Sequence, residues 1–179
     1  MGKDKRDTAV VFDANVVFAA LVRPAGFNRL VLTVTPSLYP SYYPSVLRDE
    51  VLRYVSVIAQ RASLPVEDVT AALEEVLSPL REVDAHDLAV HSSDAEELVQ
   101  NPGDAIYVAL ALHLRRRLGY REVVIVTWNK RDYNANRLAV HGITVLTPPE
   151  FCHKYLKNLS PHTACHQHTF IDARTITAI

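Results

Sequence analysis

The segment TAVVFDANVVFAAL, residues 8–21, constrains this chain more than any other. Its side chains are apolar almost throughout, yet Asp13 and Asn15 stand in the middle. Removing an unpaired carboxylate from water is costly, so Asp13 must be solvated, paired or bound to a cation. The rest of the chain has to bring the compensating groups to that point.

At 179 residues and 49% hydrophobic content, the chain fits one globular domain with a substantial core. Five glycines and ten prolines are too few for a fibrous or disordered chain. Cys152 and Cys165 are too few for a disulfide framework, which favours a reducing, cytoplasmic setting. No signal peptide or membrane span is visible: the opening apolar run is interrupted by Asp13 and is too short to cross a bilayer. Membrane association is therefore not expected.

The formal net charge of −1 decides little, but its distribution is uneven. Residues 65–104 hold eleven acidic side chains against Arg81 alone. Residues 115–137 hold seven basic side chains against Glu122 and Asp132. Such polarity suits a polyanion on one face, and equally suits solvated helix surfaces with arginines at a helix C-terminus.

Two segments, 9–12 continuing toward Val17 and 122–127, read as strands buried on both faces. Weaker strands are expected at 37–43, 80–83 and 143–146. Helical periodicity covers 45–60 and 65–77, the latter with Ser63 as a cap. A well-marked helix follows Asn101 and Pro102 and ends near Gly119; shorter ones follow Tyr133 and span 149–156. This alternation predicts a three-layer α/β/α sandwich around a mainly parallel sheet of roughly five strands. The domain is expected over 8–156. Residues 157–179 read as a tail, loosely ordered or an artificial extension, whose His162, Cys165, His166 and His168 are too locally crowded to make a convincing zinc site.

Open α/β sheets bind ligands beyond the carboxyl ends of their strands, where strand order reverses. Asp13 and Thr127 end the two best strands, Asp104 opens the helix before the second, and Glu50 lies on a polar helix edge. Three acids meeting in one cleft repel one another unless a cation neutralises them. An oxygen-only donor set selects Mg²⁺ or Mn²⁺ over zinc. Taken singly, Asp13 reads as a turn former or helix cap, Asp104 as a helix-dipole partner, and Glu50 as a surface residue beside Asp49 and Arg53.

At these residues the chain resembles the PIN-domain family of metal-dependent nucleases, over residues 8–156. The motifs are VVFDANVVFAAL, PSVLRDEVLRYV, NPGDAIYVALALHL, VIVTWNKRDY and GITVLTPPEFCHKYL, in that order. The resemblance implies a parallel sheet with helices on both faces. It also implies an Mg²⁺- or Mn²⁺-dependent endoribonuclease that cleaves RNA by metal-activated water, often the toxin of a bacterial toxin–antitoxin pair and frequently a homodimer. Asp13, Glu50 and Asp104 match the family's acidic metal-binding positions, Asn15 the polar residue that supports the first acid, and Thr127 the hydroxyl residue beside the site. Many members carry a fourth acid where this chain has Asn129; Asp132 is the nearby alternative. Arg23, Lys130 and Arg131 are the expected RNA-binding cations. Two other readings remain open: a PIN-like domain that binds RNA or protein with weak or lost turnover, and a phosphatase of the haloacid-dehalogenase kind, which lacks its second aspartate because Asn15 stands there.

Overall fold

The computed structural model describes residues 7–23 and 25–157. The expectations for the histidine-containing tail fall outside these residues. Strand β1 (Thr8–Phe12) runs through the centre of a five-stranded sheet of order β3-β2-β1-β4-β5, with β2 (Ser41–Pro44), β3 (Arg81–Val83), β4 (Glu122–Val126) and β5 (Ile143–Leu146). Every pairing is parallel. β1 and β4 are aligned from Thr8 opposite Glu122 to Phe12 opposite Val126. Both carry apolar residues on both faces because helices cover both, as the sequence reading required. No helix of the described residues is long and apolar enough to cross a membrane.

The apolar run does not continue as a strand toward Val17. It turns at Asp13 into helix α1 (Ala14–Val22), and Asp13 sits at the N-cap, accepting from the Asn15 amide. The helix is apolar nearly all round and correspondingly buried. α2 (Phe27–Val34) follows, and a 3-10 turn at Thr35–Ser37 occupies the start of the expected strand 37–43, which shortens to β2.

The expected helix 45–60 is two helices, α3 (Val46–Arg53) and α4 (Val55–Ala62), broken at Tyr54. There the backbone leaves helical angles, and the tyrosine faces a cleft described below. Ser63 does not cap the next helix: it adopts a left-handed conformation at the end of α4. α5 (Val66–Leu77) starts from Pro65 without a side-chain cap. Its acids in the first turn, Glu67 and Asp68, oppose the positive end of the helix dipole.

Two short helices, α6 (Ala85–Leu88) and α7 (Ser92–Glu96), lead to α8 (Ala105–Arg116). Asn101 caps a preceding 3-10 turn, accepting from the Gly103 amide, and α8 itself begins after Asp104. Gly119 takes the positive φ that lets the chain leave α8 toward β4. The 3-10 turn Lys130–Asp132 and α9 (Ala135–Val140) precede β5; α10 (Pro148–Tyr155) closes the domain, held by a capping box between Thr147 and Glu150.

The core lies on the two sheet faces, and α8 supplies many of its fully buried side chains. Leu110→Ala should therefore cost about 2–5 kcal/mol in urea unfolding, because it empties buried volume that the neighbouring strands and helices cannot refill. Val140→Ala, on a side chain that is 85% exposed, should stay within about 0.5 kcal/mol of the parent.

Candidate active site

Strand order reverses between β1 and β4, so the chain leaves their carboxyl ends in opposite directions and opens a crevice there. A cleft of about 180 Å³ occupies that place. Asp13, Asn15, Glu50, Asp104 and Asn129 line it, together with Ala14, Phe18, Val51, Tyr54 and Asn101. The three acids come from the start of α1, from α3 and from the turn before α8.

Asp13 is nearly inaccessible and heavily hydrogen-bonded. Its Oδ2 accepts from the Thr127 hydroxyl at 2.7 Å, the Asn15 amide at 2.9 Å and the Tyr133 hydroxyl at 3.0 Å. Among the described residues its Oδ1 accepts only the Asn15 backbone N–H, at 3.2 Å, and Asp13 lines the cleft. Burial pushes the Asp13 carboxyl up from its ordinary range, while these donors pull it back toward the ionised form.

Asn15 joins the tips of the two central strands. Its amide N–H groups reach Asp13 and the Thr127 hydroxyl oxygen, and its carbonyl accepts from the Trp128 backbone N–H at 3.1 Å. The Trp128 indole donates to Asn28 at 3.1 Å, fixing the loop after β4 against α2. With its amide so engaged, Asn15 holds the first acid in place and has no proton chemistry of its own to offer.

Glu50 accepts the Tyr107 hydroxyl proton through Oε2 at 3.0 Å. Its carboxyl is pushed up by burial and by the Asp13 charge, against the pull of that hydrogen bond and of Arg53. Asp104 is the most perturbed acid. Burial, followed by the charges of Asp13, Asp132 and Glu50, pushes it up to about 7, with the Asn101 side chain opposing. Its Oδ2 is buried and, among the described residues, has no hydrogen-bond partner.

An acceptor without a donor, in a cleft whose neighbours are also negative, is a cost that a cation would remove. Among the described residues, however, no three acidic, histidine or cysteine side chains stand close enough together to enclose an ion by themselves. A hard cation such as Mg²⁺ does not need them to: it keeps several waters and binds through one or two carboxylates. The donor set, oxygen only with uncommitted lone pairs on Asp13 and Asp104, fits such an ion.

The remaining expected residues divide. Asn129 reaches the cleft, but Asp132 does not line it; it lies 3.8 Å from Arg131, and its charge is felt at Asp104. Lys130 is bound by both carboxylate oxygens of Glu150 at 2.8–2.9 Å. Neither Arg131 nor Arg23, exposed at the end of α1, lines the cleft. Two participants went unread in the sequence, Tyr107 and Tyr133. Each is buried, and each has its ionisation pushed well above the ordinary value, first by burial and then by the Asp13 charge, so that it remains a hydrogen-bond donor. Tyr107 stands one helical turn beyond Asp104, a spacing that places both on one helix face.

Comparisons with known proteins bear on the fold and the family. Among curated proteins none matches the chain. Among solved structures, the crystal structure of VapBC2 from Rickettsia felis bound to a DNA fragment from their promoter is similar in fold. The TM-score is 0.53 at 14% identity, over 78% of this chain and 98% of that one. The family model for the PIN domain matches residues 11–118, more than half of the sequence and a span containing Asp13, Glu50 and Asp104, and the chain belongs to the PIN-domain family.

Proposed function

We propose that this PIN domain is an Mg²⁺- or Mn²⁺-dependent endoribonuclease acting on single-stranded RNA. PIN domains are generally nucleases and typically depend on a divalent metal. The observation that carries the reading is the unpartnered, buried Asp104 oxygen in a cleft shared with Asp13 and Glu50. Asp13 and Asp104 would hold the ion, with Glu50 completing the pocket directly or through water. A divalent ion held there would lower the pKa of water, making it a better nucleophile toward phosphorus, and would offset negative charge on the phosphate.

The chain's own residues do the rest. Thr127, Asn15 and Tyr133 hold Asp13 in place at the cleft and favour its ionised form against the effect of burial. Phe18, Val51 and Tyr54, which also line the cleft, offer an apolar surface for an unstacked base beside the scissile phosphate, which favours single strands over duplex. Arg61 lies over the Phe18 ring, 5.8 Å from its centroid, and among the described residues has no carboxylate at ion-pair distance. It is placed to hold a flanking phosphate, unlike Lys130, whose charge is already engaged by Glu150. Arg23 and Arg131 remain candidates for more distant phosphates.

The VapBC2 neighbour supports, at the level of fold, a role as the toxin of a toxin–antitoxin pair, with a cognate antitoxin as partner. One observation favours a second reading, RNA or protein binding with lost turnover: Asn129 faces the cleft where an acid would add charge. RNA bound without EDTA-sensitive fragments would support it.

Asp13→Asn should keep the fold and lose at least about 100-fold in Mn²⁺-dependent cleavage of a single-stranded RNA, since a carboxylate–cation contact supplies several kcal/mol of charge stabilisation. Undiminished turnover would defeat the assignment. Arg61→Ala should leave kcat near the parent, raise KM about 3- to 10-fold and lower the salt slope of RNA affinity by about 1.

The raised Asp104 pKa also sets a pH dependence. A folded-state value of about 7, above the unfolded carboxyl's, means that the native state holds the proton more tightly. Without divalent cations, stability from this group falls as pH rises from near 4 to about 7. Thermal melts should show that fall, and Mn²⁺ should raise Tm more at pH 8 than at pH 5. Asp104→Asn should flatten the fall and greatly weaken the Mn²⁺ response.

A further inference from the structure

The Tyr107 hydroxyl is where the three acid-bearing elements meet. Tyr107 is 1% exposed and sits on α8, one turn after Asp104. Its oxygen accepts the Ala14 backbone N–H at 3.2 Å, and its proton is given to Glu50 Oε2 at 3.0 Å. Ala14 follows Asp13 and is the first residue of α1, where a backbone N–H has no partner within its own helix. One phenol oxygen therefore ties the Asp104 helix to the Asp13 helix and to the glutamate of α3.

We propose that Tyr107 is a positioning residue: it holds Glu50 in the cleft beside Asp13 and Asp104, so that Glu50 reaches a divalent cation held by those two, directly or through water. The proposal rests on the cation-dependent reading above. Glu50 lies on a short helix that ends at Arg53, three residues later, and a glutamate there has several rotamers open to it. The bond to Tyr107 removes that freedom and leaves Oε1 uncommitted. The Ala14 amide alone would satisfy the buried phenol oxygen as an acceptor, but the proton needs somewhere to go, and Glu50, 57 positions away in sequence, receives it. A phenylalanine would fill the same space and supply neither bond. Orienting partners of metal-binding side chains are typically worth 10- to 100-fold in metal affinity.

The test uses the full chain as wild type, Tyr107→Phe, Glu50→Asp and the double variant. Mn²⁺ affinity is measured by calorimetry and by electron paramagnetic resonance, beside circular dichroism and RNA cleavage across a Mn²⁺ titration. Tyr107→Phe is expected to keep its secondary structure and to bind Mn²⁺ about 10- to 100-fold more weakly. Its KM for RNA at saturating Mn²⁺ should be unchanged, and high Mn²⁺ should restore much of its turnover. Glu50→Asp keeps the charge but falls short of the phenol; it should weaken Mn²⁺ binding comparably, and adding Tyr107→Phe should then cost no more than about twofold. If Tyr107→Phe does not fold, Glu50→Asp alone decides, and parental Mn²⁺ affinity in it overturns the proposal. Wild-type binding with an unaffected Tyr107→Phe, or additive losses in the double variant, overturns Tyr107's role and leaves the cation reading standing. A wild type that binds no Mn²⁺ at millimolar concentration overturns both.

Discussion

The hydrogen bonds converging on Asp13 hold the candidate site together. Its carboxylate closes the seam between β1 and β4 by accepting from Thr127, Asn15 and Tyr133, three donors that arrive from the far side of that seam or from the turn beside it. Without them the charge would be buried and unpaired, a penalty large enough to protonate the acid or pull the strand tip apart. The same bonds fix the carboxylate where it lines the cleft. Packing and chemistry thus depend on one side chain, which answers why an apolar segment carries an acid at its centre.

Around that anchor the protein gathers charge of one sign. Asp13, Asp132 and Glu50 all raise the Asp104 pKa, and no donor reaches the Asp104 Oδ2. A domain selected only for stability would gain by replacing such a group with an apolar one of similar size. Keeping it is intelligible if the acids are complementary to something positive that the polypeptide does not supply. Of the basic side chains nearby, Lys130 is committed to Glu150, Arg61 lies over Phe18, and Arg53 acts on Glu50. The cleft thus combines acidic side chains with the aromatic rings of Phe18 and Tyr54.

Much of the fold was legible in the sequence because parallel strands covered on both faces leave continuous valine-rich runs, as in β1 and β4. β2 was less legible: SYYP mixes aromatic residues with a proline, and its neighbours 35–37 turn as a 3-10 helix. The break at Tyr54 leaves no local signal, since the apolar spacing on either side is helical; it depends on tertiary contacts. α6 and α7 are too short to establish a period. For the site, the acids were readable from their places at strand and helix ends and Asn15 from the family resemblance, and the cleft brings them together. The tyrosines that position them were not, because Tyr107 and Tyr133 in apolar or turn contexts read as core, and their carboxylate partners lie 57 and 120 positions away. Lys130 shows the converse: a basic residue beside the site reads as an RNA contact until Glu150, twenty positions on, is seen to hold it.

The central claim is that these acids are held together by a divalent ion placed between them. Anomalous diffraction from crystals of the wild-type protein soaked in Mn²⁺ tests it most directly. The account predicts a peak in the cleft about 2 Å from an oxygen of Asp13 or Asp104, with the other acid bound directly or through one water. A well-occupied peak elsewhere, with Asp13 and Asp104 turned away from one another, would contradict it.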